Sequence, residues 1–167
     1  TATLESISKY DAIVVGIRAY NTEKAMAQFN PTLMKFVENG GTVVAQYNTM
    51  SRDMILPDSL IGPYPFKLSR NRVTVEEAPP IFLDPKLPLL NTPNKITLAD
   101  FDGWVQERGL YFVGERDPKY TALISWNDPG EDPVDGALIT CDYGKGRYVY
   151  TGISFFRELP AGVAGAY

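Results

Sequence analysis

Asp11-Ala-Ile-Val-Val-Gly-Ile-Arg18 and Thr42-Val-Val-Ala-Gln46-Tyr-Asn48 are the two segments that decide the fold. Each contains a short run of apolar residues, many of them β-branched, and then turns polar. Such runs are typical of strands whose two faces are both covered, as in a parallel sheet. We therefore predict two buried parallel strands, the first over Ala12 to Ile17 and covered on both faces.

The residues between these segments predict a helix. Leu33, Phe36 and Val37 recur at helical spacing and form one apolar face. Asn30 is predicted as the N-cap and Pro31 as the first helical residue, and residues 22–28 can add one earlier turn. Gly40-Gly41 predicts the end of the helix. A strand, a helix and a strand of these lengths form a right-handed crossover.

The later part of the chain predicts antiparallel strands. Short apolar or alternating runs separated by proline, glycine and asparagine indicate strands at residues 72–76, 120–126, 136–141 and 147–152. The last two flank Asp142-Tyr-Gly-Lys-Gly146 and predict a hairpin. The predicted fold class is therefore α/β, with a mixed sheet that starts as a parallel βαβ unit and ends in an antiparallel hairpin.

Length and charge narrow the class of protein. The 167 residues predict a single domain over 1–167, and a chain this long buries roughly 70% of its unfolded surface without a metal or disulfide. A net charge of −4 without a basic run argues against nucleic acid as a partner. No apolar run reaches the ~18 residues of a membrane span. The abrupt start and end lead us to expect a domain excised from a longer chain.

The absence of histidine removes several kinds of catalytic and metal site. Ser-His-Asp and Cys-His catalysis need a histidine base, and the single cysteine, Cys141, cannot form a thiolate metal site. We expect Cys141 to pack in the core. We predict no metal, no cofactor and no catalytic residue in this domain.

Polar side chains follow both buried strands at their carboxyl ends, where ligands bind in open α/β sheets. The first strand leads into Arg18, Tyr20 and Asn21, and the second ends at Gln46 and Asn48. Amides, a tyrosine and an arginine suit sugar hydroxyls or a planar anion. The alternative is that they close loops and cap the helix.

Three charged clusters allow both a functional and a structural interpretation. Arg70 and Arg72 precede Glu76 and Glu77 and could form a charged cleft, but an exposed strand with paired charges is the favoured interpretation. Carboxylates around Trp104 resemble a glycosidase site, but mutually paired buried charges are the favoured interpretation. The acidic loop 128–135 could bind calcium, but we expect a solvated turn. The carboxylates and the arginine near Trp104 are Asp100, Asp102, Glu107 and Arg108.

Several long blocks resemble the C-terminal region of bacterial PIG-L (LmbE-like) deacetylases. These blocks cover residues 10–21, 40–49, 61–66, 100–112 and 155–167. That region is in turn similar to the flavodoxin-like, class I glutamine-amidotransferase-like fold. The resemblance implies a zinc-dependent deacetylase domain elsewhere in the parent chain, acting on an amino-sugar conjugate. Many members carry export signals, which implies a periplasmic or extracellular parent.

The resemblance implies a fold without the chemistry of its relatives. Amidotransferases use a cysteine, a histidine and a glutamate, whereas the comparable strand here ends at Gln46-Tyr47-Asn48. The leading hypothesis is a non-catalytic accessory domain that binds carbohydrate or a glycoconjugate, or docks on the catalytic domain of its own chain. The predicted ligand-binding residues are Arg18, Tyr20, Asn21, Gln46, Asn48, Trp104, Gln106 and Arg108.

Two alternatives stay open. One is a carboxylate-based hydrolase of glycoconjugates that uses Glu107 or Asp100. The other is a protein-interaction module, which predicts an extended apolar surface patch.

Overall fold

The helices and strands of the protein were located in a computed structural model that describes residues 2–166. The α-helices are α1 (Leu4–Ile7), α2 (Ala19–Thr22), α3 (Met26–Glu38) and α4 (Phe155–Ala161). The strands are β1 (Ala12–Val15), β2 (Thr42–Gln46), β3 (Phe66–Leu68), β4 (Arg72–Val73), β5 (Ile81–Phe82), β6 (Gly109–Leu110), β7 (Val113–Arg116), β8 (Thr121–Ala122), β9 (Ile124–Ser125), β10 (Leu138–Tyr143) and β11 (Gly146–Thr151). Short 3₁₀ turns cover Asp58–Leu60, Pro88–Leu90, Leu98–Phe101 and Ala164–Ala166.

The main sheet has five strands in the order β1-β2-β11-β10-β8. Strand β2 pairs in parallel with both β1 and β11. Strands β10 and β11 form the predicted antiparallel hairpin, and β8 extends it. The remaining strands form two-stranded ladders β3-β7, β4-β6 and β5-β9. The prediction of a mixed α/β sheet with a parallel start and antiparallel strands is confirmed.

Strand β1 lies at an edge of the sheet and has one open face, so the prediction that both of its faces are covered is wrong. Val15 is buried, but Val14 is 60% exposed. Successive side chains of a strand point to opposite faces, and only the face of β1 that carries Val15 joins the core. An apolar run indicates a strand, but it does not specify the strand's position in the sheet.

Helix α3 starts earlier than predicted and contains Pro31 in its interior. Asn30 is therefore not the N-cap. Its buried side chain accepts a hydrogen bond from the Tyr20 hydroxyl and donates one to the Leu60 carbonyl. A proline inside a helix lacks one backbone hydrogen bond, and burial of Leu33, Phe36 and Val37 offsets this loss. The helix ends as predicted, before Gly40 at φ 118°.

Two apolar cores support the molecule. The first lies between α3, one face of the main sheet and the residues around Ile61 and Phe66. The second contains Phe101, Trp104 and Trp126. No helix within residues 2–166 is long and apolar enough to cross a membrane.

The prediction that the acidic loop 128–135 is a solvated turn is wrong for Asp128. Its carboxylate is buried and accepts hydrogen bonds from the Thr74 and Val75 backbone N–H groups and from the Thr74 hydroxyl. Burial raises the pKa of Asp128, but these hydrogen bonds outweigh it, and the pKa lies below its usual value. Asp128 therefore holds the loop against the segment after β4.

Candidate functional site

Asn48 lies buried at the carboxyl end of β2 and forms hydrogen bonds within the protein. Its Oδ1 accepts a hydrogen bond from the Tyr20 N–H (3.1 Å), and its Nδ2 donates to the Gln46 carbonyl (2.8 Å). The Asn48 N–H donates to the Tyr150 hydroxyl (3.1 Å). The side chain is fully buried. These bonds tie β2 to its neighbours, which is the structural alternative considered for this residue.

The other predicted strand-end residues divide into buried and accessible groups. Tyr20 is buried, and Asn21 exchanges hydrogen bonds with the Thr49 backbone through both ends of its amide. The half-buried Gln46 side chain makes no hydrogen bond to another residue in the range 2–166, and Arg18 is exposed. Of this set, Arg18 and Gln46 are the side chains with polar atoms free to meet a ligand.

An aromatic group that the sequence did not predict lies at the same edge. The Tyr47 ring is 5.9 Å from that of Tyr111 and 5.1 Å from that of Phe156. Arg157 stacks over Phe156 and pairs with Glu107 at 2.9 Å. We call these five residues the edge cluster. Phe156 and Arg157 follow β11, so the carboxyl end of this third parallel strand was the signal that could have identified them.

Charges surround the Tyr47 hydroxyl. Burial raises its pKa, and Tyr111 and Glu107 add to the rise, whereas the positive charges of Arg18 and Arg157 oppose it. The cations therefore stand close enough to act on the same hydroxyl. The edge thus combines aromatic rings, a tyrosine hydroxyl and guanidinium groups.

An open groove of about 860 Å³ adjoins the edge cluster through Glu107 and Tyr111. Gln106, one of the predicted site residues, also lines it. Arg70 and Arg72 line it as well. Arg72 is also paired, with Glu131 at 2.7 Å. The other lining residues are Met50, Thr74 and Leu110.

The backbone is strained around this groove. Among residues 2–166, the non-glycine residues with positive φ are Arg18 (55°), Gln106 (59°) and Tyr111 (52°). All three lie at the carboxyl edge of the sheet or in the groove. Left-handed backbone costs roughly 1 kcal/mol or more for such residues, and strain of this kind concentrates at functional sites. The strain marks this edge as the candidate functional site.

Replacing Gln106 by glycine should stabilise the protein. Gln106 is exposed, and its side chain makes no hydrogen bond to another described residue, so the change mainly relieves the positive φ. We expect the free energy of unfolding of Gln106→Gly to be about 1 kcal/mol higher than that of Gln106→Ala, because alanine keeps the strained positive φ. Urea unfolding of both variants measures the difference. Equal stabilities would show that the backbone at this position is not strained.

Trp104 and Arg108 lie in the second core rather than with the strand-end residues. Trp104 is buried, donates to the Asp100 carbonyl at 2.8 Å, and lines a different cavity, of about 330 Å³, with Phe101 and Phe155. The buried Arg108 guanidinium is 5.6 Å from the Trp104 ring centroid and donates to the Phe101 carbonyl at 2.6 Å. The structure therefore separates these two predicted residues from Gln106.

The carboxylates near Trp104 do not pair as predicted. Glu107 pairs with Arg157, and Asp102 is exposed. The Asp100 carboxylate accepts a hydrogen bond from the Thr97 N–H. The acid that faces Arg108 is Glu158, on α4, which was not considered. Within residues 2–166 no group of three acidic or cysteine side chains is placed to hold a metal ion. Cys141 is buried in the first core, and burial raises its pKa to about 12.

Comparison with known proteins shows similarity of fold alone. No family model and no curated protein matches the chain. The cytoplasmic proteins STM3548 and STM1381 from Salmonella typhimurium superpose with TM-scores of 0.54 and 0.52 at 15% and 14% identity. The match covers 89% and 90% of this chain and 62% and 63% of those chains. A beta-galactosidase from Bacillus circulans sp. alkalophilus has a TM-score of 0.50 at 16% identity, over 94% of this chain and 22% of the enzyme. The chain thus spans less than two thirds of these proteins and shares their mixed α/β fold.

Proposed function

We propose that this protein is a non-catalytic carbohydrate-binding domain whose site is the edge cluster and the adjoining groove. The observation that carries the proposal is the grouping of Tyr47, Tyr111 and Phe156 beside the groove, at the carboxyl end of three parallel strands. Sugar rings have apolar faces that pack on aromatic side chains and hydroxyl edges that need hydrogen-bond partners. Arg18, Gln46 and Gln106 supply such partners at this edge.

The parent protein in this proposal is a PIG-L-like (LmbE-like) deacetylase, and the domain has flavodoxin-like, class I glutamine-amidotransferase-like layering. The sequence blocks described above support the family, and the parallel βαβ unit supports the layering. A domain that holds a glycoconjugate would keep substrate close to a catalytic domain on the same chain, because linkage raises the effective concentration. In the same proposal the parent protein is exported to the periplasm or the cell exterior.

Calorimetry with an N-acetylglucosamine oligosaccharide tests saccharide binding. Wild type should bind, and Tyr111→Ala should weaken binding by about two- to tenfold, because one aromatic stacking contact contributes about 0.5–1.5 kcal/mol. Arg18→Ala and Gln46→Ala should each weaken it less. Tyr10→Ala is the matched control, since Tyr10 is an exposed tyrosine before β1 rather than in the edge cluster.

Two outcomes would contradict the assignment of this site. Equal losses in Tyr111→Ala and Tyr10→Ala would show that the ring next to the groove has no special role. Absence of binding in wild type would remove N-acetylglucosamine oligosaccharides as the ligand of this site.

Docking on the catalytic domain is a second candidate, and it has an observation of its own. Tyr10, Val14 and Ile17 are 54%, 60% and 40% exposed along the edge strand β1 and its flanks. Exposed apolar side chains beside an unpaired strand edge favour contact with another protein surface. Loss of the saccharide function would leave docking as the leading proposal.

The hydrolase alternative gains no support from the positions of its carboxylates. Glu107 lines the groove, but Asp100 lines the separate cavity next to Trp104. Glycoside hydrolysis by two carboxylates requires both to flank one bond. The two candidate carboxylates, Glu107 and Asp100, do not share a cavity.

A further inference from the structure

Arginine residues gather at the groove although the protein is acidic overall, with a net charge of −4. Arg70 and Arg72 line the groove, and Arg18 and Arg157 lie at the edge cluster. Such a local excess of guanidinium groups in an acidic protein points to a ligand that carries negative charge.

Two of these arginines are already neutralised by the protein. Arg72 makes a bidentate contact with Glu131, at 2.7 and 3.0 Å. Arg157 pairs with Glu107 at 2.9 Å. The third acid nearby, Glu76, accepts a hydrogen bond from the Gln106 N–H. The acidic side chains at the groove are therefore occupied by partners within the protein.

Arg70 and Arg18 remain without a counter-charge. Both are exposed, and within residues 2–166 neither forms an ion pair. Arg70 lines the groove together with Gln106 and Tyr111. Arg18 occupies a left-handed backbone position that glycine would adopt at lower cost. An arginine at such a strained position fits a role for its side chain.

We propose that the ligand is an acidic saccharide that carries a carboxylate, as a hexuronic acid does, with the carboxylate bound by Arg70 and the sugar ring packed on Tyr111. This inference rests on the proposed saccharide function. A guanidinium group matches a carboxylate with two parallel hydrogen bonds, whereas a neutral sugar offers no such partner. Arg18 adds attraction from the side of Tyr47.

Calorimetry with a matched pair of oligosaccharides tests this inference. The probes are a tetrasaccharide of a hexuronic acid and the neutral tetrasaccharide of the corresponding hexose, at about 50 mM salt, where screening is weak. Wild type should bind the acidic probe at least about tenfold more tightly. Arg70→Ala should remove this preference, and Arg70→Lys should restore only part of it, since lysine keeps the charge but loses the bidentate geometry.

Arg147→Ala is the control for loss of one arginine. Arg147 is a half-buried residue of β11 that pairs with Asp142 at 3.0 Å. It lies in register with Thr42, at the amino end of the parallel strands, whereas Thr151 lies opposite Gln46 at the carboxyl end. Its removal changes the net charge equally and should leave the preference intact. Raising the salt should reduce the preference in wild type and not in Arg70→Ala.

The outcomes separate the two proposals. Equal affinity for both probes, or a preference that survives Arg70→Ala, would overturn the acidic-ligand inference and leave saccharide binding standing. Failure of both probes, while the N-acetylglucosamine oligosaccharide binds, would overturn the acidic-ligand inference alone. Failure of all three saccharides would overturn the proposed function itself. If Arg147→Ala loses the preference for the acidic probe as fully as Arg70→Ala does, the preference arises from net charge. That result would also overturn the role of Arg70.

Discussion

Gly146→Ala is expected to destabilise the protein by at least about 3 kcal/mol, at or above the upper end of the cost of overpacking. A β-carbon at Gly146 would collide with the Val37 carbonyl oxygen and the Gly41 carbonyl oxygen. Both are backbone atoms, of the helix α3 terminus and the turn into β2, so a rotamer change cannot relieve the clash. Gly146 also starts β11, which lies at the centre of the main sheet.

Urea unfolding followed by circular dichroism measures this effect, with Gly16→Ala as the matched control. A β-carbon at Gly16 meets no atom within 4 Å, and Gly16 has no positive φ. Gly16→Ala should therefore change the stability by less than about 1 kcal/mol, in the stabilising direction, because alanine narrows the unfolded ensemble. Similar midpoints for the two variants would contradict the close packing of α3 against β11. Failure of Gly146→Ala alone to fold would agree with it.

Arg108→Ala is expected to cost about 3 kcal/mol or more, because it leaves a buried opposite charge uncompensated. Arg108 is 5% exposed and lies between the rings of Phe101, Trp104 and Trp126. Truncation empties that space and removes the hydrogen bond to the Phe101 carbonyl. It also removes the positive charge that faces the fully buried Glu158.

Arg108→Met separates packing from charge. Methionine fills much of the same volume, so the difference in stability from Arg108→Ala reports packing. The effect of the Arg108 charge is measured separately, through the dependence of stability on pH. Burial raises the pKa of Glu158, while the Val105 N–H and Arg108 lower it, and Glu76 and Glu107 raise it. Without Arg108 the pKa of Glu158 should rise further.

The sign of the pH effect follows from linkage. A carboxyl with a raised folded pKa binds more protons in the folded state, so stability is greatest below its unfolded pKa of about 4.3 and falls as pH rises through the folded pKa. Arg108→Met should therefore lose more stability than wild type between pH 4 and pH 7. Adding Glu158→Gln should abolish this extra loss. An unchanged pH profile in Arg108→Met would show that the two charges do not interact.

Local patterns predicted the secondary structure that depends on neighbours in the chain. The β10-β11 hairpin and the C-terminal end of α3 follow from alternation and from glycines next to each element. The start of α3 was missed because Asn30-Pro31 has the local features of a helix start. Burial of Met26 and the hydrogen bonds of Asn30 depend on distant residues and override that signal.

The candidate site was predicted only in its location. The carboxyl edge of the parallel strands follows from the strand–helix–strand unit, and Arg18, Gln46 and Gln106 lie at that edge or in its groove. Tyr20, Asn21 and Asn48 have the residue types of a polar site, but their side chains bond within the protein. The type of a polar residue does not tell whether its partner is a ligand or the backbone, so their ligand role stays a prediction.

The sequence by itself determined the mixed α/β class, because strand alternation, helical spacing and glycine or proline stops act over a few residues. Only the tertiary structure decided that β1 is an edge strand, that Trp104 and Arg108 belong to a core, and that Tyr47, Tyr111 and Phe156 meet. The physical reason is that these features depend on the strand order β1-β2-β11-β10-β8. The strand order depends on which arrangement buries the apolar side chains of the whole chain. It brings together segments whose local sequence patterns do not predict one another.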